Sequence, residues 1–250
     1  MNATERHPAQ PWNTTRIACL TLALCHLAAV PVFSQTGIDV ALSERSHPYL
    51  ACTSEELARL RQAYRGQGPE RDIAAAHVKE ATGFVDEPVT FPSRGGQHNQ
   101  WYQCDTCQIA LKTVDATHHQ CPRCETIYSG PPYDDVIFSR QHDRNLQRML
   151  TAGWAYAISD DERFAEYAAK VLLGYAERYG QYPYHSASQD PKSRSGGHLF
   201  EQTLNEAASI ATEIGPAYDL IHDSKTLTPI DREKIRNGLL LPMLQNIDKN

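Results

Sequence analysis

The chain has 250 residues, of which 41% are hydrophobic and 22% are charged. This balance is typical of an ordinary globular protein and excludes a disordered chain, a collagen-like repeat and a multi-pass membrane fold. There are 24 basic and 30 acidic residues, which give a net charge of -6, and no run of five basic residues occurs. The sequence therefore argues against a nucleic-acid partner.

The first 34 residues have the pattern of a secretory signal peptide. Arg6 and Arg16 precede an apolar run from Ile17 to Val32, and a cleavage site fits before Gln35. The run is shorter than the roughly 20 apolar residues of a bilayer span, so we expect cleavage and no stable membrane insertion. An uncleaved membrane anchor is the alternative. The sequence predicts a periplasmic or secreted protein, in a compartment that permits disulfides.

Residues 35–86 are predicted to form an N-terminal segment with short helices. Thr53 and Glu56 have the spacing of a capping box, which indicates a helix start. Pro69 begins a second helical stretch. Cys52 lies beside the first cap, where we expect a small buried side chain without a disulfide partner.

Residues 87–136 are predicted to form a loop-rich insert with two C-x-x-C pairs. The pairs are separated by 13 residues, a spacing at which four thiolates can close a tetrahedral shell around zinc. Disulfides are the alternative, but two adjacent bridges within such pairs would be strained. A four-sulfur site has no open position for water, so its role would be structural. The predicted zinc ligands are Cys104, Cys107, Cys121 and Cys124.

Two adjacent histidines lie between the cysteine pairs. His118 or His119 could replace one sulfur ligand. Neighbouring histidines on a loop are more typical of solvated positions, and we expect both to lie at the surface.

Residues 137–250 show two successive helical hairpins. Apolar residues follow helical spacing from about Ser139 to Ile158, and Ser159 with Glu162 predicts the cap of the next helix. A polar loop then leads to a long helix, and Thr228 caps the last one. The predicted apolar stripe of the long helix is Phe200, Leu204, Ala207, Ala211, Ile214, Tyr218 and Ile221. Apolar first helices paired with more amphipathic second helices predict an all-α fold, either an α/α toroid or an α-solenoid.

The start of the long helix is the candidate ligand-binding segment. Gln202 and Glu206 are i, i+4 neighbours and are predicted to share the face opposite the apolar stripe. In the preceding loop, Tyr184, His185 and His198 could stack on or hydrogen-bond a carboxylate-bearing sugar near the positive helix end. The alternative is an ordinary solvated helix face.

Two parts of the chain carry a family resemblance. The stretch LFEQTLNEAASI from Leu199 with AYDLI from Ala217, and the segment HPYL from His47 with SEELARLR from Ser54, resemble the N-terminal α/α toroid of alginate lyase and heparinase II/III type polysaccharide lyases. The resemblance covers residues 47–250 outside the cysteine insert. It implies β-elimination on an acidic polysaccharide that contains uronic acid, such as alginate or heparin, without a catalytic metal.

The resemblance also implies where the chemistry is done. Gln202 would lie in the substrate cleft, with Glu206 behind or beside it. A polar group neutralises the uronate carboxylate, and a Tyr or His base then removes the acidified C5 proton. The neutralising Asn-His type motif and the Tyr base are expected beyond Asn250, so we predict an incomplete toroid with little or no lyase activity of its own.

Two other functions are compatible with the same pattern. One is a non-catalytic α-helical solenoid or carbohydrate-binding scaffold whose zinc module contacts other proteins. The other is a glycoside hydrolase on an α/α toroid, which would need two carboxylates facing each other across a cleft. Sequence spacing does not assign that geometry to Glu201, Glu206 or Asp219.

Overall fold

The computed structural model describes residues 46–98, 102–188, 190 and 192–250. The predicted signal peptide lies outside these ranges. The described chain is mostly helical, as predicted, with one small antiparallel sheet. Within these ranges, none of the helices combines the length and the apolar character that a membrane span requires.

The two N-terminal helices form as the sequence predicts. Helix α1 spans Ser54–Arg65, and helix α2 spans Pro69–Thr82 with the proline in its first turn. The capping box of α1 is confirmed, because the Thr53 hydroxyl accepts the Glu56 amide at 3.2 Å and Glu56 accepts the Thr53 amide at 2.9 Å. Cys52 is half-buried against the main core, less enclosed than expected.

A long helical hairpin lies at the centre of the described packing. Helix α3 spans Tyr133–Ser159 and helix α4 spans Glu162–Arg178, followed by a 3-10 turn over Tyr179–Gln181. Helix α3 begins before the predicted Ser139, because two prolines precede Tyr133 and two acids occupy its first turn, which suits a helix N-terminus.

The predicted Ser159 and Glu162 cap is wrong. The Ser159 hydroxyl donates back to Ala155 within α3, and Asp161 caps α4 by accepting the Arg163 amide at 3.1 Å. Glu162 instead accepts the Thr226 hydroxyl at 2.9 Å. The difference arises because Asp160 takes a left-handed conformation that shifts the helix start by two residues.

The second half of the helical region contains two helices that widen in the middle. The first comprises α5 (Thr203–Ser209), a π turn over Ile210–Ile214, and α6 (Gly215–Ile221). The second comprises α7 (Pro229–Ile235), a π turn over Arg236–Leu240, and α8 (Leu241–Lys249). The predicted Thr228 cap of α7 is confirmed, with a reciprocal bond to Asp231.

A proline explains each π turn. Pro216 and Pro242 each lie two residues after the last residue of a π turn. A proline ring in a regular helix clashes with the carbonyl four residues back. The amides of Gly215 and Leu241 bond to carbonyls five residues back, and this widening accommodates the rings.

The extra residue of the first π turn changes which side of the helix faces the core. Leu204 is 73% exposed and Glu206 is fully buried, whereas Ile214 and Ile221 are buried as predicted. The predicted apolar stripe is therefore wrong before the π turn. Phe200 is buried but precedes the helix, where it pairs with Gly96 in an isolated parallel bridge.

The apolar side chains form two separate cores. The main core joins the helices, and α3 packs on α2, α4 and α6 within it. Its largest fully buried members include Leu146, Met149, Phe164, Leu172, Tyr175 and Tyr179. The second core lies in the cysteine insert and reaches Val136 in the first turn of α3. A toroidal course of the helices stays a prediction.

Candidate functional site

The cysteine insert is organised by two tight turns and a three-stranded sheet. Strands β1 (Lys112–Thr113), β2 (His119–Gln120) and β3 (Ile127–Tyr128) pair antiparallel in chain order. Gln108 and Glu125 each follow a C-x-x-C pair with positive φ values of 52° and 62°. Their amides return to the carbonyls of Cys104 and Cys121, so both pairs have the same turn geometry.

The four predicted ligands come together. Their Sγ atoms all lie within 4.8 Å of one another, and all four are free cysteines. Backbone amides point at the sulfurs of Cys104 and Cys121 at 3.3 to 3.4 Å. Such a cluster could hold a metal ion, and an all-thiolate tetrahedral donor set is the one that zinc prefers in structural sites.

Hydroxyl groups around the cluster favour thiolates. The Tyr128 hydroxyl donates to Cys104 Sγ at 3.3 Å and lowers the pKa of that thiol. The Thr126 hydroxyl, 3.3 Å from Cys124 Sγ, lowers the pKa of Cys124 to about 6. Burial acts in the opposite direction on Cys107 and raises its pKa to about 12. The environment thus already supports negative charge on two of the four sulfurs.

The two histidines between the cysteine pairs differ from each other. His118 is exposed and contacts Asp115, as expected of a surface residue. His119 is fully buried, and the surface prediction is wrong for it. Its Nδ1 lies 2.7 Å from the Tyr102 hydroxyl and its Nε2 lies 2.9 Å from Asp134. Both ring nitrogens are therefore used to join the insert to the first turn of α3.

Glu206 is the centre of a buried hydrogen-bond network and does not lie on the solvated face that the sequence predicts. Its carboxylate accepts the Tyr179 hydroxyl at 2.6 Å, the backbone amides of His198 and Leu199 at 2.7 Å each, and the Asn246 side-chain amide at 2.9 Å. A Cβ atom at position 197 would collide with this carboxyl group, so glycine is required there. Glu206 thus fixes the loop that precedes α5.

The other predicted site residues lie around that loop. The backbones of His185 and Gly197 pair in an antiparallel bridge, and His185 Nε2 donates to the Gly96 carbonyl at 2.8 Å. His198 Nδ1 lies 2.6 Å from the Tyr182 carbonyl, and its ring lies 5.8 Å from that of Tyr184. The structure therefore brings Tyr184, His185 and His198 together.

Gln202 occupies a different position from the other candidates. It is the N-cap residue of α5, it is half-exposed, and its side chain makes no capping bond. Its role in substrate binding stays a prediction.

A small cavity adjoins the loop. Its volume is about 180 Å³, and its lining includes Tyr184 and His185 together with Gln97, Asp135, Ser186 and Asp190. Sequence reasoning missed Gln97 and Asp135, which belong to distant segments that only the fold brings here. Asp135 pairs with Arg94, and its carbonyl accepts the Gln97 amide at 3.0 Å.

Glu201 is a further residue that the sequence did not single out for binding. It is fully buried, and its Oε2 atom has no hydrogen-bond partner among the described residues. Its other oxygen accepts the Asn205 amide at 3.2 Å. Burial raises the pKa of Glu201, and burial also raises that of the neighbouring Asp143.

Comparison with known proteins agrees with the expected family. No family model matches the chain. It is 36% identical over 229 residues, or 89% of its length, to an exo-oligoalginate lyase of Saccharophagus degradans. It is 32% identical over 105 residues, or 42% of its length, to an alginate lyase of Stenotrophomonas maltophilia. The chain spans 24% and 13% of the lengths of these proteins. The chain is therefore related to polysaccharide lyases of the alginate lyase type.

Proposed function

We propose that the chain supplies the N-terminal helical part of a periplasmic or secreted polysaccharide lyase that acts by β-elimination on a polysaccharide containing uronic acid, such as alginate. The observation that carries this proposal is the 36% identity to an exo-oligoalginate lyase across 89% of the chain. The expected partner is an acidic polysaccharide. Heparin-like polymers are the second substrate class that the resemblance suggests.

The geometry supports a binding role for the loop before α5. Gln202 has a free side-chain amide that can donate to a uronate carboxylate or accept from a sugar hydroxyl. Tyr184 offers an aromatic face for a sugar ring, and the imidazoles of His185 and His198 lie on the same loop. We assign no catalytic base to this chain.

Glu206 has a positioning role in this proposal. Its four hydrogen bonds hold the backbone on which His198 lies, and its carboxylate is not accessible to a ligand. A residue that fixes the loop in this way reduces the entropy that binding would otherwise lose.

For the cysteine cluster we propose a structural zinc ion held by Cys104, Cys107, Cys121 and Cys124. The four sulfurs leave no open position for water or substrate, so the ion would stabilise the insert and take no part in β-elimination.

Calorimetric titration of the purified chain with a short oligouronate prepared from alginate tests the proposed function. We expect binding that a neutral oligosaccharide of the same length does not show. Loss of the hydrogen bonds to a charged ligand should make the affinity of Gln202→Ala about tenfold weaker. Gln67→Ala, an exposed glutamine on another segment, is the matched control.

An activity assay completes this test. Mixing the chain with alginate or heparin should give no ultraviolet absorbance from an unsaturated uronate product. Such absorbance would contradict the assignment of a binding role alone. Failure of the oligouronate to bind would overturn the proposed function.

A further inference from the structure

A groove lies along one side of helix α1, and it shares no lining residue with the small cavity beside the loop that precedes α5. Its volume is about 640 Å³, and its lining includes His47, Ser54, Leu57, Arg61, Gln62 and Arg65. None of its described lining residues is acidic. We propose that this groove is a second binding site for an acidic saccharide, in which Arg61 and Arg65 bind the carboxylates.

The two arginines lie on the same side of the helix. Ser54, Leu57, Arg61 and Arg65 are spaced by three or four residues, so their side chains follow one helix face. Arg61 donates from Nε to the Ala157 carbonyl at 2.6 Å, which fixes its guanidinium beside the groove. The acidic group nearest to it is Asp160 at 4.0 Å, a weak exposed contact.

Arg65 has more freedom to bind a ligand. It is exposed, and it forms no ion pair with a described residue. A guanidinium group presents a planar fork of donors that matches a carboxylate with two parallel hydrogen bonds. Two positive charges on one groove therefore favour a ligand that carries carboxylates.

The opposite wall of the groove is rigid. His47 Nδ1 donates to Asp219 at 2.6 Å, and its ring stacks on His222 at 3.7 Å. The same Asp219 carboxylate accepts the amides of Tyr49, Leu50 and Ala51. This acid is buried behind His47 and does not line the groove.

The groove is also of a suitable size and surface for a sugar. Its volume lies within the roughly 300 to 1,000 Å³ of typical small-molecule sites. Pro48 and Leu57 add apolar contact area, which a sugar ring face can cover. The net charge of the chain is -6, so a positive groove is a local feature that would attract an anion selectively. The choice of a uronate as that anion rests on the proposed function.

Calorimetric titration of the whole chain with the same oligouronate tests this site. We expect two binding events, of which Arg65→Ala weakens one about tenfold. Arg59→Ala is the matched control, because Arg59 is an exposed arginine on the same helix that does not line the groove. It removes the same charge and should leave both events unchanged. The thermal unfolding midpoint confirms that both variants are folded.

The possible outcomes separate this proposal from the proposed function. If Arg59→Ala and Arg65→Ala weaken the affinity for the oligouronate equally, the binding depends on the overall charge of the helix and the proposal is overturned. If inorganic phosphate at matched ionic strength displaces the oligouronate completely, the groove binds anions in general and the saccharide assignment is overturned. Binding that Gln202→Ala weakens and Arg65→Ala does not would support only the loop before α5. The reverse pattern would support only the groove.

Discussion

The hydroxyl of Tyr179 donates to the carboxylate of Glu206 at 2.6 Å, and both side chains are buried. Burial raises the pKa of this tyrosine, and the neighbouring carboxylate raises it further, so the tyrosine keeps its proton. The pair joins the end of α4 to the start of α5. The side-chain amide of Asn246, in α8, donates to the same carboxylate. Glu206 therefore connects α4, α5 and α8 through hydrogen bonds.

Glu206→Gln should destabilise the protein. The new amide nitrogen would face two donors, from Tyr179 and Asn246, where the carboxylate now accepts both. Leaving buried donors without an acceptor costs about 2–3 kcal/mol. Urea denaturation measures the change. Gln202→Ala is the control, since a half-exposed side chain without a capping bond should matter by less than about 0.5 kcal/mol. Equal stability of the Glu206 variant and the native chain would refute this role.

Glu201→Gln should have the opposite effect. Burial raises the pKa of Glu201 in the folded state, so the folded state disfavours its ionised form. The contribution of Glu201 to stability is then most favourable at low pH, and it is lost as the pH rises through the folded pKa. The neutral amide is less costly to bury. We expect a gain of about 1 kcal/mol at neutral pH that disappears at acidic pH.

Urea denaturation of the native chain and of Glu201→Gln, from acidic to neutral pH, measures this gain in stability. Glu233→Gln, on an exposed part of α7, should show no such dependence. A loss of stability in Glu201→Gln at neutral pH would show that the carboxylate is needed as an ion.

His142 should make the protein sensitive to acid. Burial lowers its pKa to about 4, and the neutral ring accepts the Tyr175 hydroxyl at Nδ1 and donates to the Arg94 carbonyl at Nε2. The unfolded chain takes up this proton first, near pH 6.5, so folded stability falls by about 3 kcal/mol as the pH drops from about 6.5 to about 4. His142→Gln cannot titrate. Its unfolding free energy should depend less on pH in this window, and an unchanged dependence would contradict the assignment.

Asp219→Asn should release the N-terminal segment. The carboxylate accepts three successive amides and His47, and an amide group cannot accept all of them. A cost of about 2 kcal/mol corresponds to roughly thirtyfold faster hydrogen exchange at Tyr49, Leu50 and Ala51. Mass-spectrometric exchange measures it. Asp223→Asn, an exposed acid that contacts only the His222 ring among described groups, should leave these amides protected.

Metal analysis of the purified chain should find about one zinc ion per molecule. Cys104→Ser should bind no zinc, because Cys104 is buried in the cluster and its sulfur accepts a hydrogen bond from the Tyr128 hydroxyl. Cys52→Ser lies outside the cluster and should keep it. A chelator should then lower the thermal midpoint of the native chain but not that of Cys104→Ser. Absence of zinc from the native protein would remove the proposed centre.

The features that the sequence predicted correctly are local ones. The Thr53 and Thr228 caps depend on residues three positions apart, and the cysteine pairs depend on spacing within one loop. The burial of α4 along Phe164 and Tyr175 follows from a regular 3.6-residue period.

The features that the sequence did not predict depend on distant partners or on irregular geometry. The Asp219 bonds join residues about 170 positions apart, although both ends lie in the two segments that carry the family resemblance. His119 is buried because a tyrosine and the start of α3 enclose it. Glu206 was predicted to lie on the face opposite the apolar stripe, but it is buried. A regular 3.6-residue period does not account for the extra residue of the π turn over Ile210–Ile214.

The first π turn determines which side chains of its helix reach the core. One added residue rotates everything before it by about 100° relative to a regular helix. Deleting a single residue from Ile210–Ile214 would turn Leu204 inward and carry the Glu206 carboxylate away from the amides of His198 and Leu199. Homologues that lack the proline at position 216 should therefore show a one-residue gap here, and they should have an apolar residue in place of this glutamate.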